Sequence, residues 1–111
     1  MKILFDQATP LPIRQYLRGH IVRTAAQEGW SRLRNGDLLR AAEQAGFDLL
    51  LTSDRNMGYQ QNLTGRKLAI VVISLQQWPQ LRLHIQSVVD AVNVALPGSY
   101  REVECGSSHD G

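Results

Sequence analysis

Two long apolar runs constrain the fold of this chain more than any other feature of its sequence. They cover residues 47–52 (FDLLLT) and residues 68–75 (LAIVVISL), and neither alternates between apolar and polar positions. A strand that buries one face alternates, whereas a parallel strand covered on both faces reads as a continuous apolar run. The two runs therefore predict central strands of a parallel sheet that has helices on both sides.

The segment before these runs predicts two more strands and a short helix. A first strand is expected at Lys2–Phe5 and a weaker one at His20–Thr24. Between them, Pro10 and Pro12 predict the first turn of a helix that ends near Leu17, because proline is tolerated in a first helical turn. The order of these elements is strand, helix, strand.

Two further helices complete the pattern. The segment RNGDLLRAAEQAG predicts a helix that Asn35 or Asp37 caps and that Gly46 ends. Apolar residues at helical spacing predict a second helix over residues 78–95. An edge strand is expected at Tyr100–Cys105.

This alternation predicts a three-layer α/β domain with a mainly parallel central sheet of four to five strands flanked by helices. The domain is expected over residues 1–98, and residues 99–111 are expected to form a tail with a mobile end. Connections between parallel strands are expected to be right-handed, and ligands are expected at the carboxyl ends of the strands.

Composition narrows the classes of protein that the chain can represent. One cysteine in 111 residues excludes an internal disulfide framework and favours a cytoplasmic location. The apolar runs are too short to span a bilayer, so no membrane role is expected. Residues 1–67 hold ten Lys or Arg and six Asp or Glu, whereas residues 68–111 hold two and four. A basic N-terminal part is compatible with a nucleic-acid partner.

Three aspartates map to the carboxyl edge of the predicted sheet. Asp6 follows the first strand, Asp54 follows the third, and Asp37 opens the helix that comes after the second. Taken singly, each aspartate has a purely structural explanation. Asp37 would cap its helix, Asp54 would form a turn and Asp6 would solvate a strand end. Taken together, they predict a site for Mg²⁺ or Mn²⁺, which prefer oxygen ligands and relieve repulsion between carboxylates.

Three short motifs occur in an order that resembles a known family. They are ILFDQ near the start, GW with NGDLL downstream, and LLTSDRN followed by YQQN. The chain resembles the small PIN-like family of bacterial and archaeal proteins, which are reduced relatives of the PIN-domain ribonucleases. The resemblance implies a metal-dependent nuclease that cleaves single-stranded RNA, and many such proteins are the toxin of a toxin–antitoxin pair.

The resemblance also implies roles for particular residues. Asp6, Asp37 and Asp54 would be the catalytic and metal-binding acids, and Glu43 would be a less favoured substitute for Asp37. Acids or amides often occupy the positions of Gln7 and Asn56 in relatives. PIN-like proteins commonly form homodimers, and an antitoxin protein would be a partner.

Further residues after the third predicted strand complete the nuclease hypothesis. Arg55 would contact phosphate, while Asn56, Gln60 and Gln61 would position water or the RNA backbone.

The chain departs from full PIN domains at one place. They present a further acid near the last sheet strand, where this sequence has Ser74, Gln76 and Gln77. Gln7 and Asn56 are also neutral. These departures favour an alternative function, in which a catalytically weak or inactive PIN-like module acts through contacts with protein or RNA.

Overall fold

The structure, a computed structural model, describes residues 1–54, 66–74 and 77–104 of the chain. Five parallel strands form one sheet in the spatial order β2-β1-β3-β4-β5. The strands are β1 (Lys2–Phe5), β2 (Ile21–Thr24), β3 (Leu49–Thr52), β4 (Ala69–Ile73) and β5 (Tyr100–Val103). The predicted α/β class and parallel sheet are therefore confirmed, and the expected edge strand belongs to the sheet.

The helices that connect these strands are short. Helix α1 spans Asn35–Gln44. A 3-10 helix occupies Leu11–Tyr16, between β1 and β2. The helix expected over residues 78–95 consists of three parts: α2 (Trp78–Leu81), a 3-10 turn (Arg82–His84) and α3 (Ile85–Asn93).

The two ends of α1 test the caps predicted from sequence. Arg34 is the N-cap, with extended backbone and no side-chain cap hydrogen bond, so the predicted capping by Asn35 or Asp37 is wrong. The C-terminal prediction is confirmed, because Gly46 has φ +83° and its amide bonds the carbonyl of Glu43. A left-handed glycine with this bonding pattern ends many helices.

Both faces of the sheet are covered, which explains why the central strands do not alternate. Every residue of β3 and β4 is buried. One face packs against the first 3-10 helix, α2 and α3 through a core that includes Phe5, Leu51 and Val88. The other packs against α1 through Leu39 and Ala42. The protein therefore has three layers, with the sheet between two layers of helices.

The connection from β2 to β3 and the connection from β4 to β5 have opposite handedness. Two connections that run in the same direction across a parallel sheet, but over opposite faces, always do. The chain moves in the same direction across the sheet from β2 to β3 as it does from β4 to β5. Helix α1 makes the first connection on one face, and α2 and α3 make the second on the other face. The expectation that all connections are right-handed is therefore wrong for one of them, which is rare in parallel sheets.

No helix among the described residues is long and apolar enough to cross a membrane.

Candidate functional site at the carboxyl edge of the sheet

Asp6 lies at the carboxyl end of β1, where the chain turns away from the sheet. Its Oδ1 atom accepts hydrogen bonds from the backbone amide of Ala8 at 3.1 Å and from the hydroxyl of Thr9 at 2.7 Å. Aspartate commonly bonds the backbone two residues on, and this bond forms a tight turn. The Thr9 hydroxyl also lies 2.7 Å from the carbonyl of Leu51, which fixes the turn against β3.

Thr52, the last residue of β3, connects Asp6 with Asp54. The buried hydroxyl of Thr52 donates a hydrogen bond to Asp6 Oδ2. The same oxygen accepts a hydrogen bond from the backbone amide of Asp54 at 3.0 Å. The Asp6 carboxylate and the backbone of Asp54 therefore contact one hydroxyl at the same edge of the sheet, as expected for residues that follow neighbouring parallel strands.

The negative charge of Asp6 has no cationic partner among residues 1–54, 66–74 and 77–104. All three groups that bond its carboxylate are neutral, namely one backbone amide and two threonine hydroxyls. The side chain is half-buried. The fold therefore orients this carboxylate without neutralising it.

The neighbouring side chains hold the same loop in place. Ser53 is buried and its hydroxyl donates to the carbonyl of Ala8 at 3.3 Å. Gln7 is exposed, and its amide donates to the carbonyl of Ser31 at 2.6 Å. Gln7 thus ties the turn after β1 to the connection before α1, and this bond is structural.

Thr9 and Thr52 are the site residues that sequence reasoning missed. Two signals could have found them. Asp6 and Thr9 have the D-x-x-T spacing of an aspartate turn, and Thr52 is a polar residue at the end of an otherwise apolar strand. That Thr52 faces Asp6 depends on the pairing of β1 with β3.

The other two predicted acids lie elsewhere on α1. Asp37 is in the first turn, where its carboxylate forms an exposed ion pair with Arg40. Glu43 is in the last turn and binds Arg66 Nη1 at 2.6 Å. Because α1 leads back to the start of β3, Glu43 lies at the amino edge of the sheet, opposite to Asp6.

The described parts of the chain contain no group of three His, Cys, Asp or Glu side chains that could hold a metal ion. Asp37 is therefore not brought together with Asp6 and Asp54 as one group. The predicted substrate contacts Arg55, Asn56, Gln60 and Gln61 lie outside the described residues.

The oxygen atoms at the carboxyl edge fit a divalent cation that needs few protein ligands. A carboxylate offers about four lone-pair sites. Three of those on Asp6 are taken, and Oδ2 retains one. Mg²⁺ usually keeps several waters and binds through one or two carboxylates, so Asp6 Oδ2 has room to serve as one such ligand.

A cavity of about 740 Å³ lies at the other edge of the sheet. Its lining includes Glu43, Phe47, Asp48 and Lys67, none of which contacts Asp6. A cavity of this volume is an ordinary starting point in the search for a binding site. The uncompensated carboxylate favours the carboxyl edge instead, because charge and ligand chemistry bear more directly on function than volume does.

The chain was compared with protein-family models, with curated proteins and with solved structures, and nothing matched.

Proposed function

We propose that the protein is a cytoplasmic endoribonuclease that uses Mg²⁺ or Mn²⁺ held by Asp6 and Asp54. One observation carries the proposal: Asp6 is oriented by neutral donors only, and the Thr52 hydroxyl that bonds it also accepts from the backbone amide of Asp54. A divalent ion at this place would activate a water molecule and stabilise the leaving oxygen of a phosphodiester. The resemblance to the PIN-like family supports single-stranded RNA as the substrate.

The remaining predicted residues keep their roles within the proposal. Asp37 is the candidate third acid, Arg55 the phosphate contact, and Asn56, Gln60 and Gln61 the groups that position water or the RNA backbone. A cognate antitoxin protein is the proposed partner if the nuclease acts as a toxin.

Cleavage of a labelled single-stranded RNA in the presence of Mn²⁺ tests the proposal. We expect Asp54→Asn to lower the cleavage rate by about 100-fold or more, as for the loss of one group that stabilises the transition state. Asp90→Asn is the matched control, since Asp90 is exposed on α3 and, within the described parts of the chain, its carboxylate bonds Gln86 alone. Absence of cleavage by the wild type, or equal rates for wild type and Asp54→Asn, would refute it.

Metal binding gives a second readout that does not depend on cleavage. Isothermal titration with Mn²⁺ should show binding to the wild type and to Asp90→Asn, and binding weakened at least about tenfold in Asp6→Asn. Equal affinity of all three proteins would place the metal elsewhere.

A binding module without catalysis is the second candidate. It is favoured by the three internal hydrogen bonds that Asp6 accepts, since these would also be expected of a purely structural turn. RNA binding without Mn²⁺ affinity and without cleavage would select this function over the nuclease.

A homodimer is part of either proposal. Exposed apolar side chains support it, among them Leu83, Val94 and Leu96 on the segment from the 3-10 turn to the residues after α3. Light scattering of the purified chain measures the mass directly, and a monomeric mass at all concentrations would contradict the dimer.

A further inference from the structure

A groove beside the edge strand β2 carries positive charge. It has a volume of about 700 Å³ and runs along the first 3-10 helix. The residues that line it include the apolar Leu11, Leu17 and Val22 and the basic Arg14 and Arg18. No Asp or Glu is among the residues that line it.

The side chains of these two arginines have no hydrogen-bond or ion-pair partner among the described residues, and both residues are exposed. Arg23, on the neighbouring strand, differs because it pairs with Glu28 at 2.5 Å. Residues 7–22 contain only Arg14 and Arg18 as charged residues, so the local charge stays positive. An anionic ligand is therefore the complementary occupant of the groove.

The position of the groove relates it to the carboxyl edge. Leu11 begins the 3-10 helix that follows β1 and Asp6, whereas His20 directly precedes β2, so the lining extends from the carboxyl edge of the sheet towards the amino edge. His20 bonds Asn93 at 2.9 Å and contacts the N-terminal amine at 3.1 Å, so it closes the groove at the amino edge. A chain molecule lying in the groove would thus lead towards Asp6.

We propose that this groove binds the phosphate backbone of single-stranded RNA, with Arg14 and Arg18 as the phosphate contacts. The planar guanidinium group can donate two parallel hydrogen bonds to one phosphate. The apolar lining is suited to sugars and base faces, which an acidic peptide does not present. The proposal rests on the proposed function, because it supplies the path along which RNA reaches Asp6 and Asp54.

Binding of a short fluorescein-labelled oligouridine to the full chain, in EDTA and over a salt series, tests the groove. We expect the double variant Arg14→Gln/Arg18→Gln to bind at least about tenfold more weakly at low salt. The slope of log K against log salt should fall by about 1.4, because each single-strand phosphate contact contributes about 0.7. Arg101→Gln is the matched control. Arg101 is exposed on β5, which is the edge strand on the other side of the sheet from β2.

Two further variants and one competitor make the test specific. Arg14→Lys/Arg18→Lys keeps both charges, so its salt slope should equal that of the wild type. Thermal unfolding of the glutamine variant should match the wild type, because both side chains are exposed. Oligoglutamate at the same charge and salt should compete poorly with oligouridine.

Three other results would each overturn the groove proposal. Unchanged affinity of Arg14→Gln/Arg18→Gln would show that the groove does not hold RNA, and equal loss in Arg101→Gln would show non-specific charge. Efficient competition by oligoglutamate would assign the groove to an acidic protein partner. Failure of the nuclease proposal can be distinguished from failure of the groove proposal. In that case the wild type and Asp54→Asn would both bind oligouridine through the groove, and neither would cleave it.

Discussion

The two edges of the sheet each hold a carboxylate, and they hold it differently. At the amino edge, Glu43 accepts hydrogen bonds from the Arg66 guanidinium at 2.6 Å and from the backbone amides of Lys67 and Leu68 at 3.0 and 3.4 Å. At the carboxyl edge, Asp6 accepts hydrogen bonds from neutral groups alone.

This difference separates a structural carboxylate from a candidate functional one. The charge of Glu43 is compensated inside the fold, and the ion pair fixes the chain at the start of β4. The charge of Asp6 is oriented but not compensated by any described residue. We infer that the amino edge serves stability and the carboxyl edge serves binding, and variants at both edges can test that division.

The largest expected loss of stability is at the amino edge, for Gly98→Ala. Gly98 has φ +74°, and a Cβ atom there would lie 2.6 Å from the carbonyl oxygen of Arg66. Backbone strain and the clash together should lower the free energy of unfolding by about 3 kcal/mol, measured by urea denaturation. Gly46→Ala is the control, because φ is +83° and no atom lies within 4 Å. It should cost only about 1 kcal/mol, and equal losses would mean that the clash with Arg66 has no effect.

Glu43→Ala should have the next largest effect. It removes the ion pair and leaves the Arg66 guanidinium, which is 17% exposed, without this partner. The free energy of unfolding should fall by about 2–3 kcal/mol, because partly buried donors lose their acceptor. Glu43→Gln keeps an acceptor oxygen and should lose less. A change in Mn²⁺ affinity in either variant would contradict a purely structural role for this edge.

Thr52→Val tests the carboxyl edge and should have a smaller effect on stability. It keeps the side-chain shape but removes the hydroxyl that bonds Asp6 and accepts from the Asp54 amide. We expect a loss of about 1–2 kcal/mol in the free energy of unfolding, together with weaker Mn²⁺ binding in titration. Thr52→Ser keeps the hydroxyl and should retain metal affinity. If Thr52→Val bound Mn²⁺ as tightly as the wild type, Thr52 would not position the ligands.

Asp37→Ala should have the smallest effect. Asp37 and Arg40 are 63% and 61% exposed, so solvent screens their ion pair. The loss in free energy of unfolding should be about 0.5 kcal/mol by urea denaturation. A large fall in RNA cleavage at so small a loss of stability would identify Asp37 as a functional acid. Unchanged cleavage would leave Asp37 as a helix-terminus charge.

Local patterns explain which parts of the fold the sequence predicts. Uninterrupted apolar runs predict β3 and β4, because buried parallel strands cannot accommodate polar faces. Gly46 predicts the end of α1, because the left-handed conformation there favours glycine. The cap of α1 is predicted wrongly, since the N-cap residue is Arg34 and neither Asn35 nor Asp37.

The sequence alone determined that Asp6 and Asp54 follow parallel strands and share one edge, because that depends only on strand polarity. Only the tertiary structure decided which groups bond them. The register of β1 against β3 brings Thr52 to Asp6, and the direction of α1 carries Glu43 to the opposite edge, where Arg66 neutralises it. Such pairings join residues far apart in the chain, and their geometry depends on packing that no local pattern contains.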